Sequence, residues 1–192
     1  KVNLDMSRCG REAWANAMPA YLPGAGVGGL KWVGGYGNNA AHGRPYIMGI
    51  VVLTDPESGQ TLALMDGVYI SDWRTGASAA VAAKYLARPG AARIAIIGAG
   101  AQGRKATVCL HSVFPEAEFA VADLAAPQRE AFCREMQERY GVPVSNAASV
   151  AAATDGADVV VLLTTARQPF VRAEWIAEGA VVLAMGSYQQ AE

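Results

Sequence analysis

The stretch that most constrains this chain is Arg93-Ile94-Ala95-Ile96-Ile97-Gly98-Ala99-Gly100-Ala101-Gln102-Gly103. The apolar run 94–97 has the length and composition of a strand buried on both faces of a parallel sheet. It breaks directly into Gly98-x-Gly100-x-x-Gly103, and the helix-prone segment 104–111 follows. Each glycine has its own task in such a turn. Gly98 permits the tight bend, Gly100 lets backbone approach a pyrophosphate, and Gly103 allows the helix to pack closely on the strand. The first N–H groups of the helix, helped by its dipole, then face the phosphates.

A second strand at 118–122 ends at Asp123, where a dinucleotide fold places the carboxylate that holds the adenosine ribose. The competing account is a glycine-rich turn in an unrelated α/β protein, with Asp123 capping a helix. Strand, glycine spacing, helix and second strand coincide here, and together they favour a dinucleotide site.

The 192 residues suffice for one large domain or two small ones, and 52% hydrophobic against 17% charged residues makes the chain globular. A net charge of -1 offers no field to attract nucleic acid or an anionic membrane, and no apolar segment is long enough to cross a bilayer. Neither partner is expected. Cys9, Cys109 and Cys133 form no CxxC pair and no even framework, which fits reduced thiols in a cytoplasm. The polar start Lys1-Val2-Asn3-Leu4-Asp5 lacks an initiator Met, as expected of a chain entered partway along its gene, or of processing.

Ahead of the glycine motif the pattern is antiparallel. Strand pieces and loop are expected over 1–29, then strands at 30–36, 47–54 and 61–65. Asp55-Pro56-Glu57-Ser58-Gly59 supplies hairpin chemistry. A helix is expected over 71–87, capped by Ser71 or Asp72 and closed by Arg88-Pro89-Gly90. The nucleotide-binding unit then reads as helix 101–112, strand 118–122, helix 126–139, strand 142–145, helix 147–153 and strands 158–163 and 180–185. This alternation demands a parallel sheet with helices on both faces. The fold class is therefore α/β: a Rossmann-type parallel sheet domain at 89–192, preceded at 1–88 by a partial α+β domain.

Two residues of the first half stand out. Lys31 sits in an apolar strand on the face of Val33, opposite Trp32, and is either a solvated edge lysine or part of a site. Arg74 opens a helix and either pairs with Asp72 or Asp66 at the surface or clamps a carboxylate with its planar fork. His42 and His111 lack metal-ligand spacing, and no metal site is expected. Trp14, Trp32, Trp73 and Trp175 suit core or interface positions.

At these positions the sequence resembles the ornithine cyclodeaminase/mu-crystallin family. The matching blocks are Gly29-Leu30-Lys31-Trp32-Val33-Gly34-Gly35-Tyr36, Leu62-Ala63-Leu64-Met65-Asp66-Gly67, Trp73-Arg74-Thr75-Gly76-Ala77 and the glycine motif. The family contains alanine dehydrogenases, ketimine reductases, ornithine cyclodeaminases and a hormone-binding lens protein, built from a substrate and dimerisation domain and a dinucleotide-binding domain. The resemblance implies an NAD(P)-dependent oxidoreductase acting on a small amino or imino acid, and a homodimer in the complete protein. Lys31 and Arg74 become the substrate lysine and the carboxylate clamp. Gly98, Gly100, Ala101, Gln102, Gly103 and Asp123 become the cofactor site, with Thr164 and Thr165 beside the nicotinamide. Asp123 favours NAD, while Arg129 leaves NADP open. The alternatives are an ornithine cyclodeaminase and a nucleotide-dependent binding protein of the mu-crystallin type. Tyr188 stands where the family's cyclodeaminases carry an aspartate, which favours hydride transfer over cyclisation. Relatives extend roughly a hundred residues further, so by this resemblance the domain at 89–192 is expected to lack its last strand and a C-terminal return.

Overall fold

A computed structural model describes residues 1–7, 12–166 and 168–186. It divides into two compact units, 1–71 and 72–192. The division falls inside a helix, ahead of the boundary at 88 that the sequence suggests.

The first unit is an antiparallel meander of β1 (Val2–Asp5), β2 (Ala13–Leu22), β3 (Val27–Tyr36), β4 (Ile47–Thr54) and β5 (Thr61–Asp66), paired in that order. Its turns are built by local chemistry. Pro23 opens the β2–β3 connection and Gly26, at φ 62°, closes it. Between β4 and β5, Asp55 accepts hydrogen bonds from the Glu57 amide at 3.0 Å and the Ser58 hydroxyl at 2.5 Å, and Gly59 takes φ 73°. The short strand β1 and the ten-residue strand β2 occupy what the sequence offered only as strand pieces and loop.

Register assigns the two faces of this sheet. Lys31 pairs with Met18 on β2 and with Val51 on β4, and Val51 pairs with Met65, so these four side chains share one face. Tyr21, Trp32, Met48, Ile50 and Leu64 alternate onto the other face, where all but Trp32 are exposed.

Helix α1 (Gly67–Leu86) starts four residues earlier than its alanine-rich pattern suggests. Its cap is Asp66, not Ser71 or Asp72: one Asp66 oxygen accepts from the amides of Val68 and Tyr69 at 2.8 and 2.9 Å. A side chain on Gly67 would collide with the backbone of Gly49 and Ile50 at 2.7 Å, so the glycine lets the first turn of α1 lie against the sheet.

The second unit contains β6 (Arg93–Ile97), α2 (Ala101–Val113), β7 (Glu118–Ala122), α3 (Ala126–Tyr140), β8 (Val144–Asn146), α4 (Val150–Thr154), β9 (Val159–Leu162) and β10 (Val181–Ala184). Its sheet is fully parallel, in the order β10-β9-β6-β7-β8, the doubly wound order of a dinucleotide-binding domain. The expected elements are all present, with β8 and α4 each beginning two or three residues later than the sequence suggests.

Burial explains the continuous apolar runs. Ile94 and Ile96 pack with Ala79, Ala83, Leu110, Phe132 and Met136 on one face, while Ala95 and Ile97 pack with Ala153 and Val160 on the other. Fully burying each large side chain contributes about 1.5–3 kcal/mol.

Asp158 fastens the end of the sheet where β6 and β9 begin. It is 4% exposed, accepts hydrogen bonds from the amides of Ala92 and Arg93 at 2.7 and 3.0 Å, and pairs with the Arg88 guanidinium. Burial pushes its carboxyl up, but the two amides and the guanidinium outweigh that effect, and its pKa lies below the usual carboxylate value. A depressed folded pKa means that its contribution is present above the unfolded carboxylate range and fades as pH falls through the folded value. Asp158→Asn is expected to lower stability by about 1.5–3 kcal/mol at neutral pH. Urea melts of parent and variant should converge as the pH is lowered below about 4.

Candidate functional site

In the second unit the site is built around the turn between β6 and α2. Gly98 has φ 116°, and a Cβ there would meet the Leu163 carbonyl at 2.7 Å. A Cβ on Gly103 would stand 2.1 Å from the Gly98 carbonyl oxygen, so the helix approaches the turn as closely as the backbone allows. Gly100 differs: nothing lies within 4 Å of its missing Cβ. Its absent side chain leaves room for a ligand, whereas the other two make room for the fold.

Gly100 is also the N-cap of α2. It provides no side-chain cap, and the first turn holds no acidic residue. The opening amides of this 13-residue helix therefore present their dipole uncapped by any side chain. A concave backbone with donor amides and an open glycine fits a pyrophosphate.

Three side chains fix this turn. Asp123, just past β7, accepts from the Ala99 amide at 2.8 Å with one oxygen and from the Ala125 amide at 3.1 Å with the other. Arg104 donates to the Ala99 carbonyl and, through Nε, to Glu135 at 2.6 Å, and it lies over the Phe132 ring at 5.4 Å. Both polar groups of the Ala99 peptide are thus held. Arg129 donates to the Asp123 carbonyl at 2.6 Å and to Asn146 at 2.8 Å.

Thr164 follows β9 and lies beside the same turn, its methyl 3.4 Å from the Cβ position of Gly98. Its hydroxyl accepts from the Ala166 amide at 3.3 Å, and Thr165 is exposed. Ala101 is exposed at the start of α2, while Gln102 donates to Asp72 on α1 at 2.5 Å and keeps a buried, unpartnered Oε1. Arg74 is exposed on the first turns of α1. Tyr188 lies outside the described residues.

In the first unit Lys31 is half-buried, and its ammonium donates to the Ser71 hydroxyl at 3.3 Å. Ser71 is buried and donates in turn to the Gly67 carbonyl at 2.5 Å. The lysine is therefore held at the sheet face and is not an edge side chain reaching into solvent. An apolar recess beside it is lined by Met18, Leu22, Val27, Val51 and Leu53. Asn16, two residues before Met18 on β2, shares the Lys31 face and is buried. Sequence patterning marks Ser71 only as a helix cap and leaves Arg104 and Asn16 unmarked. The available signal for Asn16 was a polar residue alternating with Trp14 and Met18, which becomes readable only once β2 is recognised as a strand.

The remaining polar candidates are structural. His42 shares a loop with Asn38 at 3.1 Å, and His111 meets Phe119 edge-on at 5.9 Å. Among the described residues no group of three His, Cys, Asp or Glu side chains is placed to hold a metal ion. Trp14 donates to the Tyr46 hydroxyl at 3.1 Å, and Trp73 lies under the Lys105 ammonium at 4.8 Å.

Comparison with known proteins agrees with this architecture. The chain is 36% identical over 171 residues to an alanine dehydrogenase of Archaeoglobus fulgidus, covering 89% of this chain and 52% of that protein. Among solved structures, the Thermococcus litoralis Delta(1)-pyrroline-2-carboxylate reductase in complex with NADH and L-proline matches at TM-score 0.86 and 33% identity, covering 95% of this chain and 56% of that one. An archaeal alanine dehydrogenase dimer with bound NAD matches at TM-score 0.83 and 34% identity, covering 95% and 55%. The chain thus spans about half the length of the relatives it matches. The model of the ornithine cyclodeaminase/mu-crystallin family matches residues 4–191, and the chain belongs to that family.

Proposed function

We propose that the complete protein is an NAD-dependent oxidoreductase acting at the Cα of a small amino or imino acid. The observation that carries this reading is the uncapped start of α2 behind an open Gly100, braced by Asp123 and Arg104. The relatives named alanine dehydrogenase and pyrroline-2-carboxylate reductase supply the reaction class. When bound, the nicotinamide supplies the hydride acceptor or donor.

The chain's own residues have the following roles in this reading. The amides of Ala101, Gln102 and Gly103 bind the pyrophosphate. Asp123 accepts from the adenosine ribose, and Leu124, fully exposed beside it, offers an apolar surface to the adenine. Thr164 and Thr165 border the nicotinamide end. Arg74, exposed on α1, clamps the substrate carboxylate and so orients Cα. Lys31, held at the sheet face by Ser71, donates to the substrate and exchanges a proton at its nitrogen.

The coenzyme preference follows from charge. The Asp123 carboxylate opposes a 2′-phosphate, and Arg129, which could have neutralised one, is engaged with the Asp123 carbonyl and Asn146. Assembly is part of the same reading: the exposed apolar face of the first sheet, with Tyr21, Met48, Ile50 and Leu64, is the surface a second copy covers. Cys109 and Cys133 are free thiols, in keeping with a cytoplasmic protein.

Fluorescence titration is expected to show NADH binding more tightly than NADPH, with Gly100→Ala weakening NADH about tenfold or more while leaving the melting temperature unchanged. No affinity for either dinucleotide overturns the reading. Lys31→Ala should cut kcat/KM by roughly 10²–10⁴ while the NADH dissociation constant stays constant; full activity in that variant refutes its role. Ammonia and proline released from ornithine without net nucleotide reduction would identify a cyclodeaminase instead. Leu64→Glu should convert a dimer to a monomer in sedimentation velocity, and an unchanged sedimentation coefficient rules that face out as the interface.

A further inference from the structure

Asn16 is 8% exposed, and its side-chain oxygen is buried without a hydrogen-bond partner. A buried amide kept for structure is satisfied by its neighbours, and an orphaned acceptor costs stability that a side chain of the same shape, such as leucine, would not. A polar group that lowers the stability of the free protein yet occupies a strand interior requires a reason outside the fold.

Its place in the sheet suggests that reason. Asn16 pairs with Val33 and Met18 pairs with Lys31, so Asn16 and Lys31 are diagonal neighbours on one face, about 7–8 Å apart at the backbone. The side chains around them on that face, Met18, Val33, Val51 and Met65, are apolar. Lys31 brings donors only, and its hydrogen bond to Ser71 spends one of them. Asn16 Oδ1 is the buried acceptor next to it.

Resting on the function proposed above, we propose that Asn16 is a substrate-contact residue whose Oδ1 accepts a hydrogen bond from the substrate's reacting nitrogen. An ammonium, amine or iminium nitrogen carries a proton to donate, whereas the oxygen of a 2-oxo acid carries none. The residue therefore selects nitrogen-bearing substrates over the corresponding 2-oxo acids, because a bound 2-oxo acid leaves the amide oxygen unpaired. Being neutral, the amide accepts from the nitrogen without adding a titrating group of its own.

The test uses the complete polypeptide and Asn16→Leu, which keeps the volume and removes the amide. Oxidation of L-alanine and L-proline with NAD is followed alongside inhibition by pyruvate, NADH binding and thermal melting without ligands. In the variant, KM for the amino acid that the parent oxidises should rise about ten- to a hundredfold, the size expected for a hydrogen bond to a charged group. Pyruvate inhibition and NADH affinity should stay within twofold of the parent. The melting temperature of the free protein should rise or hold, which a structural role for Asn16 would not produce. A lower melting temperature, or an unchanged KM in a variant whose parent is active, overturns the assignment while leaving the dehydrogenase reading intact. If the parent oxidises neither amino acid, the dehydrogenase reading itself falls, and this assignment with it.

Discussion

Backbone-to-backbone approach at Gly98 and Gly103 is the constraint on which the second unit depends. With a Cβ position 2.1 Å from the Gly98 carbonyl, Gly103 admits no larger residue without moving α2 away from β6. That approach sets where the helix begins, and the helix start sets where its unpaired amides point. Asp123 and Arg104 then grip the Ala99 peptide from both sides, so the turn is held by one carboxylate and one guanidinium rather than by packing alone. Of the three glycines of the motif, only Gly100 has open space at its missing Cβ.

The first unit solves a different problem with similar means. Gly67 lets the start of α1 press against the backbone of Gly49 and Ile50, and that contact delivers Ser71 to Lys31. A lysine on an apolar strand would otherwise extend its ammonium into water. Here its head is tied to a hydroxyl that is itself tied to the backbone, which keeps the charge at the sheet face. The face carrying Lys31 and the face carrying Met48, Ile50 and Leu64 are thereby distinct in chemistry as well as in direction.

Much of this was legible in the sequence because the governing signals are local. A strand buried on both faces must be apolar throughout, and a glycine with φ 116° can scarcely be anything else, so β6 and its turn could be read directly. The alternation around Lys31 placed it on the face of Val33, as the register bears out. What could not be read depends on distant partners. Asp66 lies at the end of a strand and caps a helix whose alanine-rich pattern begins later, so the first turn of α1 was hidden. Arg104 and Ser71 are ordinary helix residues until the Ala99 carbonyl and the Lys31 ammonium come within reach. Trp14, Asn16 and Met18 alternate along β2, but Pro19 within it and the proline and glycines that follow disguised the strand as loop.

Asp158 occupies the end of the parallel sheet opposite the glycine turn. Gly98, Asp123 and Thr164 all follow the carboxyl ends of their strands, whereas the carboxylate that binds Arg88, Ala92 and Arg93 precedes β9. Drift in amino-acid identity at that lower rim can harden or soften the domain without disturbing the proposed nucleotide site, and the upper rim can be rewritten without loosening the foundation. Robustness and chemical versatility are thus held at opposite poles of one β-sheet.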